Sequence, residues 1–500
     1  MNPDYIIVQA GGKGTRMEKL TLNKPKALVP INNLPMLFHL FRRYPEKKFI
    51  VIGDYKYDVL CRYLHAFADV EYKLVCGTGS TGTCAGLKAA FDLIPCGESF
   101  LLIWSDLVLP DEFAFPIEEG NYIGIAKDFP CRWKFENGEF KEERSENFGV
   151  AGLFVFHDKS LFNQIPENGE FVRWLSGQSF EKKSLNLYRT KEYGLISEYR
   201  KMDVQRCRPF NRIKSENGVI IKEAIDEQGR KLAVRECAWY RKVMDQGFAQ
   251  IPQIYALEPL RMELIDGENV YNYNQLSHEK KIDILSQIVS CLKLVQSLEA
   301  VPADRESYNE AYIGKTFDRL DKIWDLVPFA REKTITINGK RCRNVLYHRQ
   351  DLEKQVEAYF PKEFKLIHGD CTFSNTMLKK DFTPVLIDPR GYFGTTELYG
   401  DPAYDWAKLY YSIVGNYDQF NLKRFTLNIG ENDVTLDIES SHWEDMENVF
   451  FSMLEGEVLP EQIKLFHAII WLSLTTYAWE DYDSICGAFY NGLYYLEDVL

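Results

Sequence analysis

From Tyr5 to about Tyr199, short apolar runs alternate with amphipathic stretches. The runs Tyr5 to Gln9, Phe49 to Gly53, Phe100 to Trp104, Ile123 to Lys127 and Val150 to Phe156 are predicted to be strands. Between them, Leu87, Ala90, Phe91 and Ile94 recur at helical spacing over Ala85 to Ile94, after glycine-rich turns, which predicts a helix packed on the sheet. Alternation of this kind predicts an α/β architecture for the first domain.

The pattern breaks at Arg200 to Glu216, where Arg200, Lys201, Arg206, Arg208, Arg212 and Lys214 occur without a sustained apolar period. A boundary is therefore placed near Arg206, giving domains 1–205 and 206–500. The second begins with a strand-like Gly218 to Ala224 and then becomes helical. Its clearest amphipathic helix is Ile284 to Leu298, with Ile284, Ile288, Cys291, Leu292, Val295 and Leu298 on one face. The late apolar stretch Ala468 to Trp479 is too short and too rich in Ser and Thr to span a bilayer, and reads as a buried helix. Neither an internal repeat nor a low-complexity tract is seen.

A length of 500 residues exceeds what one core usually organises, and an apolar fraction of 45% with 27% charged residues is that of a globular protein. Asp and Glu outnumber Lys and Arg by 73 to 60, a net charge of -13, so nothing draws the chain as a whole to nucleic acid or to an anionic membrane. The N-terminus enters the first strand at Tyr5 with no room for a signal peptide, so a cytoplasmic location is expected. The 11 cysteines are scattered without a CxxC pair, which predicts reduced, buried thiols and neither a disulfide framework nor a zinc site.

Two stretches carry chemistry. In the first domain the strand Tyr5 to Gln9 runs into Ala10-Gly11-Gly12-Lys13-Gly14-Thr15-Arg16, where amides unshielded by Cβ atoms can approach a phosphate chain. The dinucleotide fingerprint is excluded because Met17 stands where its third glycine belongs, and no GxxxxGK[ST] is present. Lys24-Pro25-Lys26 follows at once. Together, GxGxR then PK resembles the sugar-nucleotidyltransferase family, and the likeness continues at Gly77-Thr78-Gly79-Ser80-Thr81-Gly82-Thr83 and at Ser105-Asp106. The resemblance implies a Rossmann-like sheet, a phosphate cradle of Gly11, Gly12, Gly14 and Thr15, and a nucleobase loop containing Gly82 and Thr83. It also implies charge stabilisation by Arg16 and Lys26 and a magnesium ion on Asp106. The family's second metal ligand is an Asp in a DxGTxxxY-like segment. The best match here is Glu192-Tyr193-Gly194 to Tyr199, so Glu192 stands in that role with one methylene more.

In the second domain, Phe364 to Asp370 reads as a strand entering a loop, with His368-Gly369-Asp370, then Asn375, then Val385-Leu386-Ile387-Asp388. This spacing resembles the catalytic loop and metal-binding Asp of the aminoglycoside and choline kinase-like phosphotransferases. The resemblance implies an α+β, two-lobed, protein kinase-like domain. In it Asp370 accepts the proton of the attacking hydroxyl, Asn375 and Asp388 hold magnesium on ATP, and Lys222, paired with Glu236, meets the phosphates. Met262 to Gly267, with Glu263 and Ile265, resembles the hinge that meets the adenine. His368 is expected to brace the loop, and Asp401 and Asp405 are read as structural first.

After the metal Asp, Arg390 would repel a quaternary ammonium and is read as acceptor-binding, which favours a neutral or acidic hydroxylated acceptor such as a sugar. Trp406, Trp471, Tyr477, Trp479 and Tyr482 could build a cation cage but are more often core. The resemblances together imply a nucleotidyltransferase joined to a small-molecule kinase, with Mg2+ as cofactor. The expected partners are ATP, a second NTP (CTP or UTP) and a small acceptor. No nucleic acid or membrane is expected, a homo-oligomer is compatible with the chain, and the product would feed surface-glycan assembly. An amino-alcohol acceptor with a CDP-linked product, or one half retained as a nucleotide-binding regulatory module, are the alternatives.

Overall fold

The computed structural model describes residues 1–200 and 211–500. It divides into two compact units, residues 1–203 with 480–482, and 204–479 with 483–500. The boundary read near Arg206 lies outside the described residues.

Tyr5–Gln9 has an apolar residue at nearly every position, and it sits centrally, with Ile6, Ile7 and Val8 fully buried. A strand covered on both faces belongs to a parallel sheet, and it pairs in parallel with both Lys48–Gly53 and Phe100–Trp104. Tyr72–Cys76 extends the parallel portion, while Gly149–Phe156 joins the opposite edge antiparallel to Phe100–Trp104. Tyr122–Ala126 and Lys183–Leu187 complete that side. The result is the α/β, Rossmann-like mixed sheet that the sequence implies. Each expected strand is present with ends shifted by one residue at most. The expected helix over Ala85 to Ile94 is shorter, Leu87–Asp92, starting only after Gly86.

The second unit has two lobes. The smaller is an antiparallel sheet in the order Asn211–Glu216, Val219–Ala224, Leu260–Glu263, Ile254–Leu257, accompanied by the helix Glu227–Asp245. The Asp226 side chain caps that helix by accepting from Gly229 N at 2.8 Å. The described portion of the polar run, read from the sequence only as a boundary region, contains the strand Asn211–Glu216. Asn217 and Gly218 both take positive φ (50° and 78°) and close a two-residue hairpin, with Glu216 opposite Val219. The hinge-like stretch begins as the strand Leu260–Glu263 and then turns toward Gly267–Asn269, which lies in a separate three-stranded sheet with Thr376–Lys379 and Pro384–Leu386.

The larger lobe is mainly helical. His278–Leu298 contains the predicted amphipathic stretch and is capped by Ser277. Ala468 to Trp479 is not one helix: Pro460–Leu474 ends there and a 3-10 turn, Thr475–Ala478, follows. Trp406 and Trp471 are buried core residues, whereas Tyr477 is exposed. No described helix is long and apolar enough to cross a membrane. Burial holds for only some of the ten described cysteines: Cys84, Cys237, Cys291, Cys342, Cys371 and Cys486 are buried, while Cys76 and Cys96 are exposed.

Candidate functional sites

In the first unit the sheet delivers its chemistry at strand ends. Directly after Tyr5–Gln9, Gly14 has φ 61°, and a Cβ there would lie 3.0 Å from Thr21 and 3.1 Å from Lys26, so the turn requires glycine and brings Lys26 under the loop. Gly11 and Gly12 lead into this turn, and Thr15 and Arg16 follow it, Arg16 being exposed. Gln9 Nε2 donates to Thr83 O at 2.8 Å and thereby ties the glycine-rich loop before Leu87–Asp92 to the central strand. That loop is clamped from its far side, since Thr83 Oγ1 accepts from Phe171 N at 2.7 Å. Gly82, at φ 82°, packs so closely on Gly169 that a Cβ would fall 2.3 Å from its carbonyl oxygen.

Asp106 lies just beyond Phe100–Trp104, and its Oδ2 is ion-paired with Lys26 Nζ. The short strand Lys191–Glu192 pairs with Leu107–Val108 and so sets Glu192 beside Asp106, a juxtaposition that sequence spacing cannot show. Burial first, then the field of Asp106, pushes the Glu192 carboxyl above its ordinary value. Arg16 Nη2 approaches Glu192 Oε1 at 3.9 Å. Asp106 Oδ1 is buried without a hydrogen-bond partner among the described residues. Two adjacent carboxylates and an orphaned carboxylate oxygen suit a hard divalent cation.

In the second unit, Lys222 on Val219–Ala224 reaches both Glu236 Oε2, at 2.7 Å, and Asp388 Oδ1. Burial alone would lower the Lys222 ammonium, but Asp388 and Glu236 hold it well above its ordinary value. Burial pushes Glu236 up to about 7 against the pull of Lys222. Asn375 Nδ2 donates to Asp370 Oδ2 at 2.9 Å and to the Asp370 carbonyl at 2.8 Å. Ile387 N, next to Asp388, donates to Asn375 O at 2.9 Å, so the loop and the strand end bearing Asp388 are joined.

Asp370 is ion-paired with Lys408 at 2.9 Å. Burial works against its ionisation, yet Lys408 and Arg390 outweigh this and hold its carboxyl below the ordinary value. The loop is braced from behind. His368 Nε2 lies 3.1 Å from Ile387 O, and burial drives the ring down to about 4, so it is neutral. Asp405 Oδ2 and Oδ1 accept from His368 N (3.0 Å) and Gly369 N (2.7 Å), and Asp401 caps its helix through Ala403 N.

Glu263 is tied into the small lobe, its Oε2 accepting from Gln253 N at 3.1 Å, and Ile265 is buried at the turn that follows. Arg390 donates to Tyr404 Oη (2.7 Å) and Tyr392 Oη (3.0 Å). Sequence reading missed Lys408. It is the lone basic residue of the helix Pro402–Ile413, three positions after Asp405, and a single cation in an otherwise buried helix was the available signal.

No group of three or more His, Cys, Asp or Glu able to hold a metal occurs among the described residues. The pairs Asp106 with Glu192, and Asp388 with Asn375, are nonetheless oxygen donors of the kind that bind Mg2+ together with nucleotide phosphates and water.

Comparison with known proteins finds a different family in each unit. Residues 225–425 match the model of the phosphotransferase enzyme family. The first unit is similar to sugar nucleotidyltransferases: bifunctional protein GlmU of Methanococcus maripaludis is 27% identical over 184 residues, covering 33% of this chain and 44% of that protein. The catalytic subunit beta of mannose-1-phosphate guanylyltransferase from Dictyostelium discoideum is 28% identical over 179 residues, covering 31% and 50%. The chain thus spans about half or less of these two curated relatives. Among solved structures, the inositol-1-phosphate CTP transferase of T. maritima aligns at TM-score 0.33 with 14% identity, covering 39% of this chain and 91% of that one. Both resemblances drawn from the sequence are matched, and the families concerned are families of enzymes.

Proposed function

We propose that the chain is a bifunctional enzyme. The kinase domain, residues 206–500, phosphorylates a hydroxyl of a small acceptor, in the simplest case a sugar, with ATP. The transferase domain, residues 1–205, joins the phosphorylated product to the nucleotidyl group of CTP or UTP and releases pyrophosphate, yielding an activated metabolite for surface-glycan assembly. The observation that carries this reading is the convergence of Asp370, Asn375 and Asp388, all inside the phosphotransferase-family match, with Lys222 just before it.

In the kinase step Asp370 takes the proton of the acceptor hydroxyl as its oxygen bonds to the γ-phosphorus and the bond to the ADP oxygen breaks. Asp370, ionised beside Lys408, is a ready acceptor for that proton. Lys222, fixed between Glu236 and Asp388, meets the phosphates, and Glu263 and Ile265 mark the adenine edge. Mg2+, when held by Asn375 and Asp388 here and by Asp106 and Glu192 in the first unit, supplies positive charge against the phosphate oxygens. In the transferase step Gly11, Gly12, Gly14 and Thr15 cradle the triphosphate, and Gly82 and Thr83 lie against the base. Arg16 and Lys26 offset the charge of the attacking phosphate and the departing pyrophosphate.

The test is an assay of the full chain with ATP and each NTP against sugars, polyols and amino alcohols, with products identified by mass. An NDP-linked product formed only when ATP is also present is expected. Absence of both ADP and pyrophosphate with every acceptor would reject the reading.

A further inference from the structure

The side of Asp370 turned away from Asn375 is crowded with positive charge, and much of it lacks a carboxylate partner. Lys408 pairs with Asp370 itself. Arg390 Cζ lies 4.4 Å from the Tyr392 ring centre and 5.8 Å from that of Tyr404, and Lys315 Nζ stands 5.9 Å from the same Tyr404 ring. Arg319 is 5.6 Å from the Tyr477 ring and donates to Ser473 O. Among the described residues, Lys315, Arg319 and Arg390 have no carboxylate oxygen within 4.0 Å. Two of the five N–H groups of Arg390 are spent on the phenols of Tyr392 and Tyr404.

For Lys315 and Arg319 this crowding is costly, whereas Arg390 is held up by the two phenols and by Asp370. Burial, then Arg390, Arg319 and Lys408, force the Lys315 ammonium well below its ordinary value, and the opposing field of Glu310 is weaker than that of any of the three cations. Like charges gathered on shared aromatic faces are stabilised by an anion among them, and a neutral polyol or a quaternary ammonium supplies none. The cluster adjoins the carboxylate that faces the acceptor hydroxyl in the proposed reaction.

We infer that Lys315, Arg319 and Arg390 form an anion seat for the acceptor, so that the molecule phosphorylated at Asp370 carries a carboxylate or phosphate group in addition to its hydroxyl. This inference rests on the kinase reading and narrows its substrate class to hydroxylated anions.

ADP release by the full chain, with ATP, is measured on matched acceptors differing in charge: glucose, glucosamine and glucuronate, then glycerol, choline, glycerate and glycerol phosphate. An anionic member is expected to exceed its neutral and cationic counterparts by about 100-fold in kcat/KM. Glycerate against glycerol phosphate separates the two anion chemistries. Lys315→Met and Arg319→Met are each expected to raise KM for that anion about tenfold or more while kcat and the KM for ATP hold within about twofold, with Arg319→Lys recovering some of the loss.

Preference for glucose, glycerol, glucosamine or choline overturns the anion seat and leaves the kinase reading intact. So does ATP binding with neither binding nor turnover of any anion, or a rise in KM for ATP in place of the acceptor. Failure to bind ATP and to release ADP with every acceptor overturns the kinase reading and this inference together.

Discussion

The two sites differ in how much of their charge is already paired. In the first unit Lys26 is already paired with Asp106, but Arg16 is exposed and its nearest carboxylate, Glu192, is 3.9 Å away. In the second unit the charges are clamped before any ligand arrives, Lys222 between Glu236 and Asp388, and Asp370 between Asn375 and Lys408. An open site leaves some of its electrostatic work to the ligand and metal, whereas a clamped site has already met the cost of ordering its groups. Mutations should therefore act abruptly in the second unit and more gradually in the first.

The largest effect is expected for Asp370→Ala, which should reduce ATP-dependent phosphorylation about a thousandfold or more. Nucleotidyl transfer to a supplied phosphorylated acceptor should be unchanged, and equal loss of both activities in a folded variant would refute separate sites. Asp106→Ala should lower pyrophosphate release about 100-fold, with kinase turnover preserved. An unaltered transferase rate would remove Asp106 from that chemistry.

Lys408→Met tests the clamp more finely. Lys408 is a main reason that the Asp370 carboxyl stays below its ordinary value despite burial. Without it the carboxyl holds its proton to higher pH, so the acidic limb of kcat/KM should move upward while the fall in the plateau rate is about tenfold. A limb that stays in place would show that Lys408 serves packing alone.

The smallest effect concerns stability. His467 is buried, accepts from Trp471 Nε1 at 2.9 Å, and is driven by burial down to about 3. Below its unfolded value of about 6.5 the unfolded chain binds a proton that the folded chain refuses, so stability is lost as pH falls through that window. The contribution is about 2 kcal/mol between pH 7 and pH 5. Thermal unfolding of His467→Gln should show a correspondingly flatter pH dependence than that of the original chain.

The strands of the first unit were legible because parallel strands covered on both faces read as uninterrupted apolar runs such as Tyr5 to Gln9. The kinase-like loop was legible because its residues are close in sequence. Contacts between distant segments were not: nothing in spacing sets Glu192 beside Asp106 or Lys408 beside Asp370. The strand Asn211–Glu216 was hidden for another reason. Its residues are mostly polar and exposed, as an edge strand allows, and only the Asn217-Gly218 pair announces the hairpin. The two exposed cysteines likewise show that a scattered pattern says nothing about depth.

Asp405 has one more consequence. Its two oxygens fasten the amides of His368 and Gly369 to a helix embedded in the larger lobe. Solvent deuterium can reach those amides only if the helix lets go, so their exchange should be as slow as that of the lobe's interior. A loop bolted in this way is formed before any ligand arrives, and a change of shape on ligand binding would have to occur elsewhere.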